Sequence, residues 1–414
     1  AQAPVLAQKS LSGARPFRKN STRRGFIPKM AEEAPSMVTA KTLPGYVKRV
    51  SSGAEVFVLY EGNYDVLPGF CYDEGFGLNT PNLDPAMRAK YMTADGTRMR
   101  DFQFGCSLVR LPNGTNILLD TAMGTKELPG IVPCTPPFQL MDSLSKLQVS
   151  PEDIHIVVHS HLHWDHIGGN VVNGQMGFPN AIHYVHKGEW DYAQFPESPW
   201  HGAIEGNFGP IQAAGRLKFL EGNETLLDAQ LAPDVTAILT DGHTPGHVCI
   251  RIGGGGQPLY YIGDSMHLPV QVEHPEWTPF FDCCQWPEKP KSEYLAGFTQ
   301  KAWTPNMRAA YGKGWHARTS EEKRKAILQR IAKENALLVS PHFPAPGMGT
   351  VVMGSGGRFE YRPLDAKNLM LPNIDAFGCK DVAPTVQRRK RDVLYRALRG
   401  VFGSRALCCI EGQP

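Results

Sequence analysis

The sequence predicts an α/β protein on three observations. Short apolar runs bounded by Gly, Pro and Asn read as strands, other stretches carry apolar residues at helical spacing, and His or Asp arrives repeatedly at the end of a strand-like run. With 414 residues the chain can bury a substantial core, and these features are spread over most of it. One large domain with extended ends is therefore expected: a basic segment over 1–45, a folded body over 46–365 and a basic tail over 366–414.

Taken in order, residues 55–60 read as a strand, and 106–110 turns at Pro112-Asn113-Gly114 into a second strand over 116–120. Asn-Gly between apolar runs is a hairpin signal, because both residues accept the positive φ that a tight turn requires. Phe138, Leu140, Leu144 and Leu147 have near-helical spacing and predict a helix over 137–148. Ile154-His155-Ile156-Val157-Val158 is a buried strand, and Ile167-Gly168-Gly169-Asn170 allows a tight turn into a helix. A short helix is expected over 187–194, with strands near 217–220, 235–240, 248–252 and 259–263. Thr319-Ser320-Glu321-Glu322 opens a helix with a capping-box pattern ahead of Ala326, Ile327, Ile331 and Ala332. Residues 337–340 form the last strand in this reading.

Between the strand at 154–158 and the turn at 167–170 lies His161-Leu162-His163-Trp164-Asp165-His166. In an extended segment His161, His163 and Asp165 leave on one side, and a turn into a helix at Asp165 swings His166 toward a second position. Imidazole and carboxylate donors are those of a hydrolytic metal centre, which needs no thiolate. A single His is ordinarily a surface or core residue, so the later residues decide. They are Asp241-Gly242-His243-Thr244-Pro245-Gly246-His247 on a Gly/Pro loop, Gly263-Asp264 after an apolar strand, and Pro341-His342 after another.

With these motifs in this order, the sequence resembles the metallo-β-lactamase superfamily over roughly residues 54–362. That resemblance implies a four-layered αββα sandwich with metals at one edge of two sheets. It assigns His161, His163 and His247 to one divalent ion, Asp165, His166 and His342 to a second, and Asp264 as the bridge, with zinc as the expected metal. Asp120 takes the place of an early Asp that supports the site, and is expected to be structural. Two adjacent ions imply a hydrolase whose nucleophile is hydroxide, with Asp165 ligating and then passing a proton to the leaving group. His267 would donate to the developing oxyanion or else line the pocket. His243 either orients a ligand from behind or simply belongs to the loop, the second being favoured, and His159 is expected to be buried and hydrogen-bonded.

Within the superfamily, the Gly263–Gln271 and Pro341–Gly347 stretches look most like the branch of methyl parathion hydrolase and related lactonases. Quorum-quenching lactonases tend to carry Tyr three residues after the bridging Asp, where this chain has His267, a departure that points away from acyl-homoserine lactones. The Trp/Pro-bearing stretch 277–315 has no counterpart in the pattern and reads as a lid. Trp164, Trp190, Met266, Trp277, Phe280 and Phe281 are the expected pocket wall, which favours a small, weakly polar ester or lactone. Members of the superfamily also include mononuclear iron persulfide dioxygenases, glyoxalase II-like thioesterases and non-catalytic binding members, and these stay as alternatives.

Charge is uneven. Residues 1–31 hold seven Lys and Arg and no acid, and 380–414 carry a net +5, so the overall +3 leaves −9 for 32–379. An acidic body argues against a nucleic-acid groove. The basic, hydroxylated, acid-free start looks like a plastid or mitochondrial transit peptide. Val393, Leu394, Ala397, Leu398, Val401 and Phe402 share a helical face opposite Arg396 and Arg399, so the tail can be placed on an anionic membrane surface or on its own domain. Nine cysteines without framework spacing suggest reduced thiols.

Overall fold

The computed structural model describes residues 44–49, 53–66, 85–91, 99–124, 140–198, 201–253, 257–279, 282, 304–311 and 319–364. The chain divides into the units Ala1–Lys41 and Thr42–Pro414, and every described residue belongs to the second. The expectations for the basic start, the tail, Phe138, Phe280, Phe281 and most of the 277–315 stretch lie outside the described residues.

Strands β1 (Pro44–Arg49), β2 (Glu55–Val66), β3 (Met99–Arg110) and β4 (Asn116–Leu119) pair antiparallel in sequence order, with helix α1 (Pro85–Tyr91) between β2 and β3 in the chain. After α2 (Leu140–Lys146), β5 (Ile154–Val158) joins β4 in parallel. Helix α3 (Trp164–Ile167) and the small hairpin of β6 (Val171–Val172) and β7 (Gln175–Met176) follow. Strand β8 (Ile182–His186), helices α4 (Lys187–Gln194) and α5 (His201–Ala213), and strand β9 (Leu217–Leu220) complete the first half; β8 and β9 extend the sheet in parallel.

The second half begins with β10 (Glu224–Asp228), β11 (Ala232–Leu239), β12 (Val248–Ile252) and β13 (Leu259–Tyr261), all antiparallel neighbours. Helices α6 (Val270–Glu273), α7 (Pro305–Tyr311) and α8 (Thr319–Lys333) precede β14 (Leu337–Val339), which pairs parallel with β13. Strands β15 (Met348–Met353) and β16 (Phe359–Pro363) close the sheet antiparallel. Two seven-stranded sheets result, β1-β2-β3-β4-β5-β8-β9 and β10-β11-β12-β13-β14-β15-β16.

The period-two alternation of strand side chains builds the layers. Val56, Val58 and Tyr60 of β2 face Val235, Ala237, Ile250, Tyr261 and Val339 of the second sheet, forming the core between the sheets. Phe57 and Leu59, on the opposite side of β2, pack with Leu140 and Leu144 of α2. On the far face of the second sheet, Tyr260 and Leu338 pack with Ile327, Leu328 and Ile331 of α8. This is the αββα sandwich, and each buried aliphatic side chain on these faces is worth roughly 1.5–3 kcal/mol of burial.

α4, β9 and α8 stand where the sequence predicts them, but β3 begins seven residues before the expected start and brings Phe102 and Phe104 into the sheet. The helix after the motif begins at Trp164, with the extended His163 just ahead of it. Among the described residues, Cys106 and Cys249 are buried free thiols, and no helix is long and apolar enough to cross a membrane.

Candidate metal centre

Parallel pairing makes β4 and β5 of the first sheet, and β13 and β14 of the second, end on the same side, and their ends carry Asp120, the motif loop, Asp264 and His342. His247 immediately precedes β12, which runs antiparallel to β13 and so starts at that edge. Backbone hydrogen bonds join the two edges: Val248 N donates to Ser160 O (2.8 Å), and Gln103 N of β3 donates to His342 O (3.0 Å).

Asp264 is the centre of the cluster. Its Oδ1 lies 3.0 Å from His166 Nε2 and 2.9 Å from His342 Nε2, and its Oδ2 lies 3.0 Å from His267 Nε2, 3.3 Å from His243 Nε2 and 3.6 Å from His161 Nε2. Asp165 Oδ2 stands 3.6 Å from His166 Nε2 and 3.9 Å from His342 Nε2. All these residues are buried. Three overlapping sets of donors could each surround an ion: His161, His163, His243 and Asp264; Asp165, His166 and His342; and Asp264, His267 and His342.

Four of the rings are pinned through Nδ1. His166 Nδ1 is 2.8 Å from Asp120 Oδ2, His342 Nδ1 is 2.7 Å from the Gln103 carbonyl, His161 Nδ1 is 3.1 Å from Ser160 Oγ, and His247 Nδ1 is 2.8 Å from Thr240 Oγ1. A partner at Nδ1 fixes ring orientation and turns Nε2 toward the shared centre. Nε2 of His161 and of His166 is buried there without a hydrogen bond. Buried nitrogens seldom go unsatisfied, so converging Nε2 atoms around carboxylates fit divalent cations.

Asp120 is the structural support expected from the sequence. It accepts Ser160 N–H (2.7 Å), Ser160 Oγ–H (2.7 Å) and the Tyr261 hydroxyl (2.8 Å) besides holding His166, and these bonds stabilise its left-handed φ of 64°.

Electrostatics suit metal binding. Burial, reinforced by neighbouring imidazoles, holds His161 and His163 well below the usual histidine range and His247 down at about 3, leaving neutral rings that can ligate. Burial acts the same way on His166, but Asp264, Asp165 and Asp120 outweigh it and push that ring well up. Burial would raise Asp264, yet His166, His342, His267 and His161 hold it well below the carboxylate range. Asp165 is raised by burial, against the pull of His166.

His247 lies at the cluster, its ring 5.3 Å from that of His161, while its Nε2 accepts the Asp264 N–H at 3.0 Å. The position facing His161 and His163 is taken by His243. Of the two readings of His243, the plain-loop one is corrected: the ring is 2% exposed, 3.0 Å from His163 Nδ1, and bonded through Nδ1 to Asp282 Oδ1 at 2.7 Å. Burial would lower it, but Asp264 and Asp282 outweigh that and raise it to about 9. His159 is buried as expected, 3.3 Å from His183 Nδ1, and burial lowers it to about 4.

Two of the expected pocket residues belong to packing instead. Trp190 sits with Leu162, Ile204 and Phe208 against α5, and Met266 sits with Ile327 and Leu328 of α8, because both side chains turn toward helices. Trp277 stacks on His274 at 4.3 Å. Trp164 does lie beside the site, 5.9 Å from Phe104, and Phe102 covers His342 at 4.9 Å and stacks over His267 at 6.2 Å. The signal for these two phenylalanines was the alternation Asp101-Phe102-Gln103-Phe104.

Glu189, unnoticed in the sequence, clamps the two ligand loops. Its Oε1 accepts Leu162 N–H (3.0 Å), between His161 and His163, and its Oε2 accepts Gly246 N–H (3.1 Å), next to His247. The second loop approaches α4 so closely that a Cβ on Gly246 would lie 1.9 Å from Glu189 N.

The sequence profile of the metallo-beta-lactamase superfamily matches residues 105–326, more than half of the chain. The chain belongs to the metallo-β-lactamase superfamily. Similar proteins include N-acyl homoserine lactonase AttM of Rhizobium radiobacter, 36% identical over 117 residues, which are 27% of this chain and 41% of that protein. N-acyl homoserine lactonase of Bacillus cereus is 30% identical over 114 residues, 28% of this chain and 39% of that one. The chain thus spans about two fifths of the curated relatives it matches. Among solved structures, hydrolase AbOPH of the beta-lactamase superfamily has a TM-score of 0.59 at 20% identity, covering 79% of this chain and 99% of its own. AidC, a dizinc quorum-quenching lactonase, has 0.56 at 23%, covering 78% and 99%. These two share the metallo-β-lactamase fold.

Proposed function

We propose that this chain is a metal-dependent hydrolase that opens lactones or cleaves small esters. The observation that carries the reading is the convergence of buried imidazole Nε2 atoms on Asp264, with His161 and His166 lacking a hydrogen bond there. His161, His163 and, by the family resemblance, His247 would hold one divalent ion, with His243 standing in the same donor set, and Asp165, His166 and His342 would hold the other, with Asp264 facing both; zinc suits these donors. When bound, such ions would acidify a water molecule and polarise the scissile carbonyl.

The chain's own groups complete the chemistry. Asp165, its carboxyl raised by burial, is suited to take a proton and return it to a leaving alkoxide. His267, 3.0 Å from Asp264 Oδ2, stands where it can orient that carboxylate or donate to a substrate oxygen. Phe102, Phe104 and Trp164 give the site an aromatic border, which favours an uncharged acyl or aryl group over a charged conjugate. Lactones are favoured within the ester class by the names of the relatives.

The test is a panel of aryl esters, medium-chain lactones and phosphotriesters, with and without chelator. Lactone or ester turnover abolished by chelation is expected. No metal-dependent turnover on that panel, together with activity on a glutathione persulfide or thioester, would overturn the reading. We also carry residues 1–31 as an organelle address, on their basic, acid-free composition; a cytosolic fluorescent fusion would refute it.

A further inference from the structure

We propose that Glu189 is a positioning residue for one of the two ions, holding the loop of His161 against the loop of His247 so that both rings reach the same metal. The inference rests on the dimetal reading above. Its ground is a register between the two loops. Val248 N donates to Ser160 O at 2.8 Å, while Leu162 N and Gly246 N both donate to the Glu189 carboxylate, at 3.0 and 3.1 Å. Residue 160 is thus tied to 248 and residue 162 to 246, and the pair between these ties is His161 and His247. Their rings lie 5.3 Å apart, and both Nε2 atoms come to Asp264: that of His161 is 3.6 Å from Oδ2, that of His247 3.0 Å from the backbone N.

The second tie calls for a carboxylate. At 162 and 246 each loop presents an N–H, so neither can accept from the other, and Leu162, Gly246 and Glu189 are all buried. An anion with two acceptor oxygens satisfies both donors at once, whereas an amide would set its own N–H against one of them. A buried N–H without an acceptor is costly, and separating the loops is the way to relieve it.

The base of this clamp is rigid. Glu189 stands in the first turn of α4, whose start is capped by His186 Nδ1 accepting Gly188 N–H at 3.2 Å. Trp190 packs edge-on against Phe208 of α5 at 5.4 Å, in a cluster that also takes the Leu162 side chain, and Tyr192 meets Tyr311 of α7 at 5.7 Å. Because α4 cannot shift without unpacking these rings, its carboxylate is a fixed reference for both loops.

The experiment compares full-length wild type with Glu189→Gln, Glu189→Asp and Leu144→Ala, the last removing packing between α2 and the first sheet. Zinc retained during dialysis against graded chelator and cobalt(II) absorption of the reconstituted proteins are read beside urea unfolding of the metal-free forms. Glu189→Gln should lose one of two ions at a roughly 10–100-fold lower chelator concentration, with a changed cobalt spectrum, and hold the other as wild type does. Leu144→Ala should unfold at lower urea yet keep both ions within about threefold of wild type. Should Glu189→Gln fail to fold, Glu189→Asp decides: it keeps the charge but, one methylene shorter, reaches only one N–H, and a loss of about 10-fold is expected.

Wild-type retention in the deciding variant, or a loss no greater than that of Leu144→Ala, would overturn the proposal. Equal loss of both ions would too, since the carboxylate would then serve the whole edge rather than one pair of ligands. If neither Glu189 variant folds even with zinc, the residue serves folding and the proposal falls. A wild-type protein that binds no zinc at all would instead overturn the dimetal reading, and this inference with it.

Discussion

Asp165 is the residue at which burial and chemistry meet. Its carboxylate lies within 4 Å of the Nε2 atoms of both His166 and His342, in a cluster whose charge is dominated by Asp264. Burial raises its proton affinity, which suits a group that must take up and give back a proton. Asp165→Asn keeps volume and shape but neither balances a cation nor accepts that proton. We expect an unchanged circular dichroism spectrum and a fall in kcat/KM for lactones or esters on the order of 10²–10⁴, measured beside the metal content of the same sample. Near-normal turnover would remove Asp165 from the chemistry.

At the scale of elements, α8 shows how the outer layer is tied down. Glu334, just past its end, accepts from Tyr260 Oη (2.7 Å), Arg251 Nε (2.9 Å) and Arg330 Nε (3.1 Å), joining the helix to β12 and β13. Burial would raise its carboxyl, but the bonds from Tyr260, Arg251 and Arg330 outweigh it and lower it. A depressed carboxylate contributes stability above its unfolded value and loses it as pH falls through the folded one. Glu334→Gln should therefore cost about 1 kcal/mol at pH 7, solvent screening limiting it, and the cost should shrink toward pH 3 in urea unfolding. A cost independent of pH would show that the charge is irrelevant. The helix itself was legible, because its apolar residues repeat over fifteen positions, and so was β5 with the ligand run at its exit. The placing of His243 against Asp282 was not: the histidine stands in a Gly/Pro loop, and its partner lies 39 residues away, so no local period marks the pair. Trp190 and Met266 misled for a related reason. Composition near a motif says nothing of which side of a helix or loop faces the site, and both face core.

For the whole molecule, the two sheets meet at one edge around groups that repel apolar packing. Asp264 and His342 come from the second sheet, His161, His163, Asp165 and His166 from the loop leaving the first, and between the sheets lies a continuous apolar core. Crowding buried imidazoles on one carboxylate stabilises little by itself, whereas a cation would bind both halves at once and favour only the folded chain. Ligand that binds the native state alone stabilises by about 4 kcal/mol per site when present at roughly a thousand times its Kd. For a body of this size that corresponds to a Tm shift on the order of 10 °C. Differential scanning calorimetry of zinc-loaded and chelated protein should show a drop of that size, reversed by restoring zinc but not by magnesium, with lactone or ester hydrolysis following the same titration. Identical transitions in the two samples would mean that no ion spans the sheets, and the edge would have to be explained as a buried hydrogen-bonded cluster instead.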